Sequence, residues 1–223
     1  MKNLNFFLKR SFDIIVSIFV LVVFTIFPLM IVIPIIIKMS DKGPAFYKQE
    51  RVGKNKKIFM LYKFRTMTVE QFDKDGNEIM SENRITKVGK ILRKTSLDEL
   101  PQLFNVLNGS MSIVGPRPML NYQAKRCNKD EELRFSVRPG LTGLAQIKGR
   151  NNIPWEERIK FDIEYIKSFS FWFDIIIIFK TALLVLKKEG TEVKPEYRGV
   201  DRFSKFYVPE EVLESEETVK INS

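Results

Sequence analysis

IIVSIFVLVVFTIFPLMIVIPIII, residues 14–37, is the stretch on which the fold turns. It runs for 24 positions without a charge, and only Ser17 and Thr25 within it are polar. As one straight helix it would be about 36 Å long, enough to cross a bilayer core of roughly 30 Å. It is too long for a secretory signal, and no small-residue cleavage site follows it. The flanks argue against simple spanning. Lys2, Lys9 and Arg10 precede the run and Lys38 and Lys42 follow it, so the positive-inside rule draws both ends to the cytoplasm. Pro28 sits mid-run, with Pro34 beyond. An interior proline removes a backbone hydrogen bond and bends the axis. A bent hairpin entering and leaving one leaflet satisfies both observations. A kinked spanning helix is the simpler alternative, since membrane helices tolerate proline. Asp13, at the edge of the run, is expected to pair with Lys9 or Arg10, which lowers the cost of burying it.

Around this segment lies a chain of 223 residues with 37 Lys+Arg, 27 Asp+Glu, a net charge of +10 and no histidine. The missing histidine excludes Ser-His-Asp and Cys-His nucleophile pairs and any imidazole general base. One cysteine, Cys127, excludes an intrachain disulfide and a structural zinc site, and with no imidazole to activate it Cys127 reads as a passive thiol. An enzyme built from this chain must work with carboxylates, Lys, Arg and an oxygen-bound metal. The charge is uneven. From Glu189 to Ser223 nine acids outnumber five bases, leaving −4 on the tail and +14 on residues 1–188. A basic body suits an anionic membrane surface and anionic substrates, and the last stretch of the tail is expected to be disordered.

Between the apolar run and the tail, Phe46–Val52 and Ile58–Met67 read as strands joined by the turn-like Gly53-Lys54-Asn55-Lys56. Residues 70–83 are polar around Asp75-Gly76-Asn77 and read as a surface loop. Residues 84–95 place Arg84, Lys87, Lys90, Arg93 and Lys94 around Ile85, Val88, Ile91 and Leu92, a basic amphipathic helix. Residues 158–188 read as helical. The segment from Phe171 to Leu186 is apolar round most of its circumference, so it fills the core or lies in the membrane interface.

Four constellations are candidates for chemistry. Ser96-Leu97-Asp98-Glu99 matches a capping box opening a helix through Leu107, with Asn108-Gly109 as its stop. Acids in a first turn ordinarily just complement the helix dipole. The functional alternative is that the positive helix end keeps Asp98 ionised, so that it attacks phosphorus to form an acyl phosphate. Two anions repel, so such a site needs Mg²⁺ and nearby Arg or Lys, which the stretch ending in Arg93 would supply. Gly115-Pro116-Arg117-Pro118 holds one arginine between two prolines: either a tight turn with a solvated charge, or an arginine made rigid for phosphate. Arg138-Pro139-Gly140-Leu141-Thr142-Gly143, followed by Gly149-Arg150-Asn151, is either ordinary loop chemistry or glycine-rich backbone shaped for a ligand. Tyr62-Lys63-Phe64-Arg65-Thr66-Met67 is a basic strand with alternating aromatics, by itself a half-solvated strand.

Taken together and in order, with Lys9-Arg10-Ser11-Phe12-Asp13 at the front, these motifs resemble the bacterial sugar transferases of the monotopic phosphoglycosyl transferase type, in their minimal form. The resemblance covers roughly residues 6 to 188. It implies an α+β, mostly helical fold: a re-entrant membrane helix over 1–40, broken at Pro28, a cytosolic catalytic domain over 41–188 with interfacial helices and a short β-hairpin, then the acidic tail, 189–223. It implies transfer of a sugar phosphate from a UDP-sugar to undecaprenyl phosphate with release of UMP. This is the step that initiates a bacterial surface glycan, at the cytoplasmic face of the plasma membrane among its lipids. Mg²⁺ is the implied cofactor. Asp98 is the implied nucleophile and metal ligand, with Glu99 assisting the metal or the lipid phosphate. Arg117 is the implied phosphate contact, and Arg93, Lys63, Arg150 and Asp174 match other functional polar positions. Nucleic acid is not an implied partner, and oligomerisation is left open. The chain departs from the family at Phe27, where relatives usually have Ser before the proline, with Thr25 as the substitute hydroxyl, and at Leu144, where a tryptophan is common.

Readings of other classes fare worse. A membrane-tethered protein holding nucleic acid or acidic lipid on its +14 body offers no reason for Asp98-Glu99 beside Pro-Arg-Pro, and no nucleic-acid motif is present. A catalytically dead scaffold is disfavoured by the intact dyad and Arg117.

Overall fold

The computed structural model describes residues 2–26, 28–70, 72, 83–149, 153–187 and 203. Arg150, Phe27, most of the expected 70–83 loop and all of the tail except Phe203 lie outside the described residues. The fold is mostly helical, with two small sheets.

The apolar run forms α1 (Lys2–Ile26) and α2 (Leu29–Ser40). The two are bent by 62° at the break around Pro28, whose carbonyl accepts from Ile31 N and Val32 N as the second helix restarts. Among the described residues no single helix is long and apolar enough to cross a membrane, but the bent pair passes that test of length and composition together. Thr25 Oγ1 donates to Leu21 O at 2.7 Å, one turn back in α1.

α1 is sided. Asp13 and Ser17 are buried, while Ile15, Ile18, Phe19 and Val22 are exposed. Asp13 does not pair with its neighbours Lys9 or Arg10. Its carboxylate accepts from Ser112 Oγ at 2.6 Å and Ile113 N at 3.2 Å. Both cations turn elsewhere: Lys9 to Asp174 and Val114 O, Arg10 to the carbonyls of Val106 and Leu107. The packing of α1 on the body brings donors and acceptors from distant segments within its reach, and buried charged groups take those partners.

β1 (Phe46–Val52) and β2 (Ile58–Phe64) pair antiparallel, from Phe46 opposite Phe64 to Val52 opposite Ile58. The hairpin is as expected, but the second strand ends at Phe64 rather than Met67, which bridges Ile85 instead. Side chains alternate across a strand, and here both faces are used. Leu61 enters the main core with Val106, Met111, Ile113, Val114, Leu144, Tyr165 and Ile177. Phe64 faces a second cluster holding Ile33 and Ile37 of α2 with Ala45 and Leu92. The basic helix is shorter than its periodicity suggests. α3 runs Lys87–Thr95, because Ile85 bridges Met67 and Thr86 becomes the cap, its hydroxyl accepting from Gly89 N at 2.9 Å.

The expected capping box does not form. Ser96 adopts φ +58° and ends α3, its N–H returning to Arg93 O and Leu92 O, while its side chain caps nothing. Leu97–Glu99 is one 3-10 turn, and α4 (Gln102–Leu107) starts only after Pro101. Leu100 and Pro101 both keep helical backbone, but proline has no N–H to donate back into the preceding turn, so the hydrogen-bond ladder is interrupted there and the α-helix starts downstream. α4 is tied to the hairpin by Asn105, which accepts from Tyr62 N at 3.1 Å and donates to Met60 O at 2.8 Å.

β3 (Ser112–Val114) pairs parallel with β4 (Gly140–Thr142); α5 (Asn121–Ala124) and a 3-10 segment, Glu131–Ser136, fill the crossover. The glycines of the Arg138–Gly143 motif are needed for this pairing. A Cβ on Gly140 would fall 2.1 Å from Gly115 N, and one on Gly143 would fall 2.3 Å from Gly115 O. α6 (Leu144–Lys148) follows, then α7 (Trp155–Lys167) and α8 (Phe171–Leu186). The helical reading of 158–188 holds as two helices. Ser170 stands between them, its hydroxyl capping α8 by accepting from Phe173 N at 3.1 Å, a side-chain cap that competes with helix continuation.

Candidate active site

The connection from α3 to α4 delivers the site. Because Ser96 reverses the backbone at the end of a basic helix, Asp98 and Glu99 follow within one tight turn of Arg93. Glu99 Oε1 accepts from Lys63 Nζ at 2.8 Å and from Arg117 Nη2 at 2.7 Å. Lys63 comes from β2 and Arg117 from the turn after β3, so the carboxylate ties the hairpin to the Pro-Arg-Pro turn. Burial alone would raise the Glu99 carboxyl, but the charges of Arg117 and Lys63 and their hydrogen bonds outweigh it and hold it well below the usual carboxylate range. Arg117 is raised in return, chiefly by Glu99.

Asp98 is the opposite case. It is buried, and no hydrogen bond between described residues ends on it. Burial first, then the neighbouring charge of Glu99, push it up to about 6, against the pull of Lys63, Arg93 and Arg117. The helix end expected to keep Asp98 ionised is not there, although a carboxyl at about 6 is still mostly ionised at neutral pH. No α-helix N-terminus stands at Ser96, so burial and a like charge decide. Two adjacent carboxylates therefore differ: Glu99 holds two cations on one oxygen, while Asp98 takes no hydrogen bond from the described residues and titrates at about 6.

Both open on a cavity of about 2210 Å³ whose wall includes Lys63, Arg93, Arg117 and Thr66. Arg93 Nε donates to Thr66 Oγ1 at 2.9 Å, which fixes the exposed guanidinium at the rim. Arg51, Arg134 and Arg158 line the same cavity, and sequence reasoning did not single them out. Arg51 is lowered to about 10, by burial and then by the charge of Arg117. Arg134 donates to Arg117 O at 2.9 Å and to Asp162 Oδ2 at 2.6 Å. None of the three sits in a motif with fixed-backbone neighbours, so no local signal marks them.

Asp174 is not brought to the dyad. It lies beneath, in α8, where Lys9 Nζ donates to Oδ2 at 2.6 Å and Tyr165 Oη donates to Oδ1 at 2.7 Å. Burial raises it, with Lys9 and Tyr165 pulling the other way. Both of its oxygens are taken, and its place is in the network joining α1 to the body. Among the described residues no group of three or more Asp, Glu or Cys is gathered as a metal cage.

Fold and site together define a carboxylate dyad set in a cationic cavity and carried on a helical body with an apolar N-terminal helix pair. The chain belongs to the bacterial sugar transferase family, whose model matches residues 4–188. It is 42% identical over 206 residues to an undecaprenyl-phosphate galactose phosphotransferase of Salmonella typhimurium, covering 85% of this chain and 42% of the relative. It is 45% identical over 190 residues to a UDP-glucose:undecaprenyl-phosphate glucose-1-phosphate transferase of Klebsiella pneumoniae, covering 81% and 40%. An uncharacterised sugar transferase of Bacillus subtilis is matched over 90% of its own length, at 44% identity over 185 residues and 83% of this chain. The chain thus spans less than half the length of the first two relatives.

Proposed function

We propose that this chain is a phosphoglycosyl transferase that moves a sugar phosphate from a UDP-sugar to undecaprenyl phosphate and releases UMP. The observation that carries the reading is the division of labour in the dyad. Glu99 is held through Oε1 by both Lys63 and Arg117, which leaves Asp98, with no hydrogen bond from the described residues, as the carboxylate free to react. An Asp98 oxygen attacks the sugar-bearing phosphorus. The bond from that phosphorus to the bridging oxygen breaks, and UMP leaves with the bonding pair. An oxygen of undecaprenyl phosphate then attacks the same phosphorus and returns the Asp98 carboxylate. One cationic cavity thereby serves a soluble donor and a lipid acceptor in turn. Lys63, Arg93 and Arg117 face the anionic groups of both substrates and stabilise charge as it develops in transfer.

Mg²⁺ fits this donor set. Magnesium is ordinarily held by one or two carboxylates together with substrate phosphates and water, not by an all-protein cage. Asp98 would hold it, with the unengaged oxygen of Glu99 beside it, and the ion would supply charge neutralisation between carboxylate and phosphate.

The reaction is tested by screening UDP-sugars for UMP release with undecaprenyl phosphate and Mg²⁺ across pH. Asp98 must be ionised to attack, so the rate is expected to rise as pH climbs through about 6 and to flatten above it. Added Mg²⁺ moves the midpoint down, because a nearby cation favours the carboxylate. No UMP from any UDP-sugar, or a rate that falls over that rise in pH, would count against the reading.

We further propose a seat at the cytoplasmic face of the bacterial plasma membrane, with α1 and α2 entering and leaving one leaflet. Support comes from the bend and from exposed apolar side chains on α1, α2 and α8, among them Phe19, Ile31, Trp172, Phe179 and Leu186. Single cysteines placed near Lys2 and near Lys42 in the Cys127→Ser background should both be labelled from the cytoplasmic side. Labels on opposite faces would establish a spanning helix instead.

A further inference from the structure

We propose that Phe203, from the tail beyond the family-matched residues, is a positioning residue. It plugs a socket directly behind the arginine wall of the cavity and sets that wall. The ring is 0% exposed. It packs in a cluster with Val52, Met119, Ala124, Phe135 and Ile159, all buried. Gln123 Nε2 donates to Phe203 O at 3.4 Å, and the ring lies 6.1 Å from that of Trp155, tilted by 45°.

The arrangement of the socket is what points to the role. Four of its members stand next to, or one proline away from, an arginine that lines the cavity. Val52 follows Arg51, Phe135 follows Arg134, Ile159 follows Arg158, and Met119 follows Arg117 and Pro118. Each of these short segments therefore places an apolar side chain in the Phe203 cluster and an arginine in the cavity lining, that of Arg134 being buried in its ion pair with Asp162. Cross-links hold the set together. Val52 N donates to Met119 O at 2.9 Å, Arg51 Nη1 donates to Pro118 O at 3.2 Å, and Arg134 Nη2 donates to Arg117 O at 2.9 Å. Trp155 closes it, with the Arg158 and Arg134 guanidinium carbons 5.1 and 5.8 Å from its ring centroid. Packed interiors transmit strain, so the volume of one ring behind the wall is felt by the guanidinium groups in front. The arginines come from four separate segments, and repulsion among them favours spreading. A shared apolar plug on the far side opposes that.

The test uses the full chain in a Trp172→Phe background, which leaves Trp155 as the sole tryptophan. Phe203→Ala and Phe203→Leu are compared with their parent, well below the lowest melting midpoint. Trp155 emission and its quenching by acrylamide report docking. The affinity for inorganic pyrophosphate, read from the same emission, reports the wall. Donor kcat and KM report function. Phe203→Ala is expected to redden and expose Trp155 and to weaken pyrophosphate binding about tenfold. It should also raise donor KM much more than it lowers kcat, with kcat/KM down by about tenfold to a hundredfold. Phe203→Leu should restore most of each. Unchanged Trp155 emission in Phe203→Ala overturns docking, and a changed emission with unchanged or absent pyrophosphate binding overturns positioning. The donor kinetics rest on the phosphoglycosyl transfer reading. If the parent releases no UMP, that reading fails, while emission and pyrophosphate binding still decide the role of Phe203.

Discussion

Asp98→Asn is expected to abolish transfer without harming the fold. With donor alone, mass spectrometry should find a phosphosugar adduct on Asp98 of the wild type and none on the variant. UMP release should fall by about 10⁴-fold or more, as when other covalent enzymes lose their nucleophile. Asparagine keeps the volume and one oxygen of the side chain but cannot carry its charge or form an acyl phosphate. The fold should not suffer, because Asp98 accepts no hydrogen bond from described residues and burial raises it to about 6. The sign follows from linkage. A carboxyl whose folded value lies above its unfolded one binds its proton more tightly in the native state, so above about pH 6 its ionised form costs stability. The variant is therefore expected to melt no lower than wild type at pH 7.5, and somewhat higher if the site is fully desolvated. A reactive residue held at a cost to stability is a common arrangement in active sites. Turnover at the wild-type rate, or an adduct that persists on another residue, would sink the assignment of the nucleophile.

Asp162→Ala is expected to cost stability rather than chemistry alone. Arg134 and Asp162 form an ion pair at 2.6 Å, with side chains 1% and 2% exposed. Removing one partner leaves an uncompensated buried charge, which costs about 3–5 kcal/mol. Urea titration in detergent, followed by circular dichroism, would read this as a large fall in midpoint. The double variant Arg134→Met/Asp162→Leu should recover most of the loss, since apolar residues of similar size often replace a buried ion pair at little cost. It should not recover donor turnover. Arg134 also donates to Arg117 O, and the double variant removes that brace along with one guanidinium of the wall. A midpoint for Asp162→Ala within about 0.5 kcal/mol of wild type, the scale of an ordinary surface substitution, would show that the pair carries no such weight.

The residues of the site that could be read from the chain were those in contiguous motifs. Asp98, Glu99, Lys63 and Arg117 stand in runs whose neighbours constrain the backbone, and the structure brings all four together. Asp174 is marked as a functional position only by the family resemblance, and from the residues alone it is a charge interrupting an apolar helix. Its engagement by Lys9, 165 positions away, is visible only when α1 is laid against α8. The same holds for Asp13, whose nearby cations were the obvious partners and whose actual ones are Ser112 and Ile113. Ser96 matches a capping box letter for letter, yet Pro101 moves the helix downstream and Ser96 becomes the end of the helix before it. Gly140 reads as loop chemistry or as backbone shaped for a ligand, and it stands where two strands come too close for a Cβ.

By itself the sequence determined what depends on a few neighbouring residues: the apolar run and its break at Pro28, the existence of the hairpin that starts at Phe46, the adjacency of the dyad, and the exclusion of every histidine mechanism. These follow from chain stiffness, side-chain periodicity and composition, which act over a handful of positions. The tertiary structure alone decided which carboxylate is paired with cations and which is left to react, and which arginines stand together in the cavity wall. It also placed Phe203 behind that wall. Burial and pairing are properties of groups brought close by folding from distant parts of the chain, and in a poorly solvated interior they outweigh any local preference.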